Sequence, residues 1–480
     1  MAQKHLVTLI KGDGVGPEVI QSVCDLFKAA NAPVEWDVKE AGKKSFLAGI
    51  DTGLPIETIE SIKKTGLVLK GPLETPVGFG GKSANVTLRK LFDTFANIRP
   101  ARIMPGLKSR YSEEDIDLVL VRENVEGLYT GVEHWTSPQD AQSLKTLSRA
   151  GCERIARFAF ECARTRPRKK VTCATKANIM KITQGLLKQI CEEVAVDYPD
   201  ITYEHMLIDN CAHQLVINPS QFDVLVMTNL NGDILSDLCS GLVGGLGFAP
   251  SANIGFNAAI FEAVHGSAPN IAGQNSVNPT SLILSSLLLL EHIGAHQIAY
   301  DLRRALEQTF MDGTFTADVP YAKHTVSTTE FTQAIIENLH NLPEDLSKKA
   351  PPRTINLNAV KPSLAPPAPM TETGLDLTLI YSGQPETLGC HLTQLLESTS
   401  FELVNIANRG FQVYPKPPMV PDLTDSYQCR LSFKGNGPIP QEQITTLLQA
   451  ITPHYSWSKI LKLFSRGSER CYSIVQGGSD

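Results

Sequence analysis

At 480 residues, with 42% hydrophobic and 20% charged side chains, the chain has the composition of an ordinary globular protein of more than one domain, at roughly 150 residues per domain. A formal net charge of −6 and a pI near 6.0, with no long Lys/Arg cluster, argue against a nucleic-acid surface. The longest apolar run, 282–290, is too short to span a bilayer, and no charged head, apolar stretch and cleavage site precede the first strand, so a cytoplasmic protein without a membrane partner is expected.

Ten cysteines are scattered without a Cys-x-x-Cys pair, which fits reduced, mostly buried thiols rather than zinc ligands. Along residues 1–345, apolar runs at 7–10, 66–70, 118–122, 170–173 and 224–227 read as buried strands. Segments 17–29, 148–165, 181–194 and 280–296 read as helices. This alternation predicts an α/β fold with a largely parallel or mixed sheet. Prolines crowd the stretch around 346–372, which reads as an extended linker. Beyond it, strands at 376–381, 402–408, 411–414, 428–434, 456–464 and 470–475, with helices at 387–397 and 441–452, suggest a small α/β sandwich of ferredoxin-like order.

Several segments carry chemistry. Gly12-Asp13-Gly14-Val15-Gly16-Pro17 joins a strand to a helix, but its spacing is wrong for the dinucleotide fingerprint, and a tight turn explains it equally well. The loop from Lys70 through Gly78 leads into a helix with Ser83, Asn85 and Arg89, where free N–H groups favour an anion. Arg99 and Arg122 add guanidinium groups suited to carboxylates, so an oligocarboxylate pocket is expected. Tyr129 and Lys176 are candidates for proton transfer. Asp233 and Asp237 stand four apart after a buried strand. With Asp209 they would supply hard oxygen ligands for Mg²⁺ or Mn²⁺, although Asp233 could equally serve the charge of a helix N-terminus. The run His265-Gly266-Ser267-Ala268-Pro269-Asn270-Ile271, followed by Asn278-Pro279, offers small residues and a fixed turn that let backbone approach a nucleotide.

Together these segments resemble the isocitrate and isopropylmalate dehydrogenase family over about residues 4–340. The densest matches are Gly12 to Glu18, the Ser83-x-Asn85-x-x-x-Arg89 helix, Asn97-Ile98-Arg99-Pro100, Arg122-Glu123-Asn124, Lys176 to Met180, Asn229 to Asp237, Gly244 to Gly247 and His265 to Pro269. The tail from about 373, above all Asn408 to Pro415, is similar to the extra domain of long bacterial isocitrate dehydrogenases.

The resemblance implies a two-domain α/β fold distinct from the Rossmann fold. A large domain would comprise 1–98 and 250–345, and a smaller one with dimer contacts 99–249. A linker would follow at 346–372, then a C-terminal domain at 373–480. It implies a homo-oligomer, at least a dimer with shared sites, in which Lys176 and Asp209 serve the partner's site. The implied chemistry is metal-dependent oxidative decarboxylation of isocitrate. Lys176 and Tyr129 would move protons, Ser83, Asn85, Arg89, Arg99 and Arg122 would hold the substrate, and Asp209, Asp233 and Asp237 the Mg²⁺ or Mn²⁺. Thr75, His265, Gly266, Ala268, Asn270, Ile271, Asn278 and Asp318 would contact the dinucleotide. Relatives linked to NADP carry Lys-Tyr where this chain has Asn270-Ile271, and those linked to NAD carry Asp-Ile, so NAD is expected and NADP is the alternative. Polar Ser83 and Asn85 favour isocitrate over isopropylmalate, which calls for an apolar surface. The competing readings are a homoisocitrate dehydrogenase and a regulatory subunit without catalysis, the second opposed by the presence of every catalytic residue.

Overall fold

The computed structural model describes residues 4–74, 83–322, 324–342, 354–415, 419 and 421–477. Eighteen strands run through them: β1 (His5–Ile10), β2 (Val34–Lys39), β3 (Leu67–Lys70), β4 (Ala96–Arg102), β5 (Asp117–Glu123), β6 (Glu133–Trp135), β7 (Ala141–Ser143), β8 (Lys170–Thr175), β9 (Thr202–Leu207), β10 (Val224–Met227), β11 (Pro250–Ile254), β12 (Ala259–Ala263), β13 (Thr371–Ile380), β14 (Phe401–Asn408), β15 (Phe411–Tyr414), β16 (Ser426–Phe433), β17 (Ser456–Arg466) and β18 (Glu469–Arg470). The chain forms two compact units, one of residues 1–129 and 146–362, the other of 130–145 and 363–480.

The first unit is built on a ten-stranded sheet ordered β2-β1-β3-β12-β11-β4-β5-β10-β8-β9. Its two outer blocks are parallel, and the central β12-β11-β4-β5 strands pair antiparallel, so the sheet is mixed, as the strand–helix alternation predicts. Continuous apolar runs such as Val224–Met227 are buried on both faces, the pattern of strands covered by helices on either side. The sequence also encodes the helix ends. Pro17 sits in the first turn of Gly16–Ala29, where a missing N–H costs nothing, with Glu18 beside it at the positive end. Ser148 caps Arg149–Arg164 by accepting from Gly151 N, and Ser327 forms a capping box with Glu330. The single helix expected over 280–296 is two, Thr280–His292 and His296–Met311. Gly294, at φ +81°, ends the first, with its N–H and that of Ala295 bonded back to Glu291 and Leu290. Among the described residues no helix is long and apolar enough to cross a membrane.

The second unit is a six-stranded antiparallel sheet, β15-β14-β16-β13-β17-β18. Leu375, Leu377 and Leu379 alternate onto one face and pack with Leu388 and Leu392 of Pro385–Leu396 and Leu447 of Gln441–Ile451. The segment 470–475, expected as a strand, pairs only at Glu469–Arg470. Ser473 gives its carbonyl to Arg430 instead of to a ladder, and Gln476 returns to Phe411. The β6–β7 hairpin belongs with this unit although it lies inside the expected 99–249 domain. Ser137 Oγ donates to buried Asp425, Thr424 Oγ1 to Asp140 (2.8 Å) and Lys459 Nζ to Gln142 (3.0 Å). The expected linker is ordered over 354–362 as part of the first unit, where Val360 is fully buried. Seven of the ten cysteines are buried, and none is in a disulfide.

Candidate active site

Four strands of the large sheet, β3, β12, β4 and β5, carry buried charges on one face, with β11 between β12 and β4. Arg99 lies on β4 and Arg122 at the end of β5, 9% and 1% exposed. Arg122 donates through Nε and Nη2 to Asn229 Oδ1 (3.0 and 2.8 Å) and through Nη1 to Asp233. Its stem runs so close to the helix Asn229–Leu242 that a Cβ on Gly232 would stand 2.6 Å from it, so only glycine fits there. Arg99 donates to Asn97 Oδ1 (2.9 Å) and Ser236 Oγ, and its Nη1 reaches Asp237 at 3.4 Å. Tyr129 donates its hydroxyl to Asp233 and lies 5.0 Å under the Arg122 guanidinium. Arg89 points in from the helix Ala84–Leu91, which begins at Ser83, and donates to Glu262 (3.0 Å).

Behind this cluster runs a buried network that the sequence reading missed. Lys70 Nζ pairs with Glu262 at 2.6 Å, Asn253 donates to Glu262 (2.7 Å), and Asn97 and Asn124 both donate to Asn253 Oδ1 (2.9 and 3.0 Å). Asn97 in turn accepts from Arg99, so Arg89 and Arg99 hang from one continuous frame. The available signal was a lone charge inside an otherwise apolar strand, Lys70 in β3 and Glu262 in β12, because such charges are rarely buried without a partner.

The electrostatics point to an anion. Burial, together with Arg122 and Arg89, lowers Arg99 to about 10, and burial and Arg89 lower Arg122. Burial would raise Asp233, but Arg122, the Tyr129 hydrogen bond and Arg99 hold it below the usual carboxylate range. Burial and Asp233 raise Tyr129, so its hydroxyl stays protonated at neutral pH. Mutual repulsion among three guanidiniums is relieved by a ligand with several carboxylates. Asn85 Oδ1 and Arg89 Nε, both buried, lack hydrogen-bond partners and add unused capacity at the same place.

Lys176 and Asp209 pair with each other at 2.9 Å, and among the described residues no hydrogen bond or ion pair joins either to Asp233 or Asp237. No group of three or more His, Cys, Asp or Glu side chains is placed to hold a metal among the described residues. Asp233 and Asp237 remain two partly exposed carboxylates on successive turns of one helix, a fitting donor pair for a hard cation that takes further oxygens from elsewhere.

The expected nucleotide segment borders three loops that pack closely. Val15 N donates to Ser267 O (2.9 Å) and Asp13 N to Pro72 O (2.8 Å), and a Cβ on Gly14 would collide with Ser267 O at 2.0 Å. His265 Nδ1 meets Gly266 O (2.9 Å), burial lowers its pKa, and its buried Nε2 lacks a hydrogen-bond partner. Ala268, at φ +40°, turns the chain into the short Pro269–Ile271 turn, which leaves Asn270 and Ile271 exposed. Asn278 donates to Asp318 (3.0 Å). Glu18, also missed as a site residue, accepts from Gly273 N (3.1 Å) and Asn275 N (2.7 Å) and so holds the far end of this loop. Thr75, expected at the cofactor, lies outside the described residues.

Comparison with known proteins agrees with this geometry. The isocitrate/isopropylmalate dehydrogenase family model matches residues 6–335, and the model for the C-terminal domain of bacterial isocitrate dehydrogenase matches 371–478. The isocitrate dehydrogenase [NADP] of Thermus thermophilus is 48% identical, with 99% of this chain and 96% of that protein covered. A mitochondrial isocitrate dehydrogenase [NAD] regulatory subunit of Dictyostelium discoideum is 50% identical over 64% of this chain and 84% of its own. A crystal structure of a Thermus thermophilus protein superposes with a TM-score of 0.93 at 47% identity, covering 99% of this chain and 97% of that one. The chain belongs to the isocitrate/isopropylmalate dehydrogenase family and carries the bacterial isocitrate dehydrogenase C-terminal domain.

Proposed function

We propose that this chain oxidises isocitrate with a nicotinamide cofactor and decarboxylates the product to 2-oxoglutarate. The observation that carries the reading is the convergence of Arg89, Arg99 and Arg122 beside Asp233 and Tyr129. Three fixed guanidiniums suit a tricarboxylate, and Ser83 with Asn85 offers hydroxyl and amide groups where isopropylmalate would present an alkyl group. A divalent cation held by Asp233, Asp237 and Asp209 of the partner subunit would polarise the substrate hydroxyl and stabilise the enolate that decarboxylation leaves. Lys176 of the partner subunit, with the aspartates, would take the hydroxyl proton as the substrate gives up its hydride to the nicotinamide. The carbon–carbon bond to the departing carboxylate then breaks, CO₂ leaves, and Tyr129 supplies the proton that completes 2-oxoglutarate. The raised pKa of Tyr129 keeps that proton available at neutral pH.

His265, Gly266, Ala268, Asn270, Ile271, Asn278 and Asp318 would bound the dinucleotide. The Asn270-Ile271 pair led to an expectation of NAD. The Thermus relative that matches almost the whole chain is named for NADP, whereas the Dictyostelium relative named for NAD matches only 64% of it. Asn270 carries no carboxylate to repel a 2′-phosphate, so NADP is the cofactor assigned in this reading. A dimer with shared sites fits the separation of the Lys176–Asp209 pair from the Asp233 cluster. The expected division into 1–98 with 250–345 and 99–249, less the hairpin at 130–145 that belongs to the second unit, and a cytoplasmic location go with the same reading.

The test is formation of reduced cofactor by the purified protein with isocitrate and Mn²⁺, run with NADP and with NAD, and with isopropylmalate and homoisocitrate as rivals. Turnover of isocitrate that EDTA abolishes is the expected result, with kcat/KM higher for NADP. A higher value for NAD overturns the cofactor assignment. No turnover of isocitrate with either overturns the substrate, and silence with all three acids favours a regulatory role.

A further inference from the structure

A cavity of about 610 Å³ lies on the opposite face of the same central strands. Strand alternation sets the two faces one residue apart. On β4, Arg99 faces the substrate cluster while Ile98 and Pro100 form cavity wall. On β11, Asn253 faces the cluster and Ala252 the cavity, and on β12 Glu262 and Phe261 divide in the same way. The cavity is thus one sheet thickness from the frame that holds Arg89 and Arg99. The segment 354–358, within the proline-rich stretch, closes another side with Ile355 and Leu357.

Protein interiors leave few voids larger than a water molecule, and small-molecule sites are concave, mostly apolar and of this size. The charged groups on its wall are three arginines against one aspartate and one glutamate; burial lowers the pKa of His292, which is neutral there. Arg166 is held firmly by Asp223 (2.5 Å) and Asp117 (2.9 Å). Arg102 and Arg303 have looser partners, Glu307 at 3.4 Å and Glu291 at 3.3 Å, longer than a good charge-assisted bond. His292 presents an open face there beside Phe261.

We propose that this cavity is a second ligand site, for a flat, largely apolar small molecule bearing one anionic group, and that its occupancy alters isocitrate binding through the shared strands. The apolar body lies against Ala252, Phe261 and Leu288, and the anion meets Arg102 and Arg303 at the rim. The coupling half rests on the isocitrate reading given above; the binding half does not.

The experiment titrates anilinonaphthalene sulfonate, an aromatic body with one sulfonate, into the full-length protein and follows its fluorescence. Saturable binding of one probe per chain is expected, undisturbed by saturating NADP. Arg102→Ala should weaken it about tenfold, as loss of one charged hydrogen bond does. Leu288→Trp, at the half-exposed rim, and Ala252→Phe, on the floor, should abolish it. The probe should also shift the KM for isocitrate in the wild type and leave Leu288→Trp unmoved. Unchanged probe binding in a Leu288→Trp protein that retains full turnover, or displacement of the probe by NADP, overturns the site. Probe binding that the variants abolish, with no effect on KM, overturns the coupling and leaves the site. Should the protein not turn over isocitrate at all, the fluorescence titrations still decide the binding half.

Discussion

The two sheets bury charge in opposite ways. In the second unit Arg430 donates to both oxygens of Asp376 (2.9 and 2.8 Å) and to Ser473 O (2.8 Å), and its guanidinium lies 4.7 Å over Tyr472. Gln428 adds a further donor to Asp376 at 2.7 Å. All three Arg430 nitrogens and both Asp376 oxygens are bonded inside the fold. In the first unit the chain Lys70–Glu262–Asn253–Asn97–Arg99 is equally well wired behind, but in front it leaves Arg89 Nε and Asn85 Oδ1 buried without partners. Unmet capacity alone does not mark a site, since Arg149 and Arg154 also have such atoms. The mark is unmet capacity together with three like charges close enough that, on top of burial, Arg89 lowers the pKa of both Arg99 and Arg122. A saturated buried pair fixes structure, whereas an unsaturated, like-charged cluster is built for a ligand.

That contrast can be broken most sharply at Arg99. Arg99→Met should lower kcat/KM for isocitrate at least about a thousandfold while leaving thermal stability level or higher, because the charge serves the ligand and not the fold. Steady-state kinetics beside a melting curve would check it, and a destabilised but active variant would reverse the assignment. Asp376→Ala is the mirror image. It should cost about 3–5 kcal/mol by leaving Arg430 buried and unpaired, read by urea denaturation, with kcat/KM for isocitrate retained under native conditions. Glu18→Ala removes two charge-assisted bonds to the loop at Gly273 and Asn275, proposed above to bound the dinucleotide. The KM for the cofactor should rise about tenfold and that for isocitrate stay put, with partial recovery in Glu18→Gln; equal shifts in both would show a general loosening.

The smallest effect concerns pH. Burial raises Glu123, next to Arg122, to about 7, against the hydrogen bonds it accepts from Val125 N and Glu126 N. The folded protein therefore keeps a proton there that the unfolded chain releases above about 4.5, so this contribution to stability is present at low pH and lost as pH rises through 7. Glu123→Gln should gain on the wild type at pH 8 relative to pH 5 in urea titrations. The same difference at both pH values would rule out titration of this group as the cause.

What the sequence made legible was local. The strand runs, the glycine loops and the Asp233–Asp237 spacing could all be read within a few residues, as could the positions of Arg89, Arg99 and Arg122. The frame behind them was not, because it joins strands far apart in the chain: Arg89 meets Glu262 across 173 positions and Asn97 meets Asn253 across 156. Nothing in either segment states that register. The break at Gly294 was legible in principle, but the apolar run before it masked the helix end. The hairpin after Tyr129 gave no signal, since its strands are three residues each and mostly exposed.

That hairpin sets a schedule for biosynthesis. Gln142 leaves the ribosome 317 residues before Lys459, its partner in the second unit. At a synthesis rate of roughly 5–20 residues per second, the interval is about 15–60 seconds. Through that time the segment directly after Tyr129 has been made but cannot reach its final surroundings, while most of the first unit can already fold. The segment that continues the chain from Tyr129 is therefore completed at the very end of translation, and nascent chains short of β17 carry a first unit with all its strands made and a hairpin still lacking Lys459.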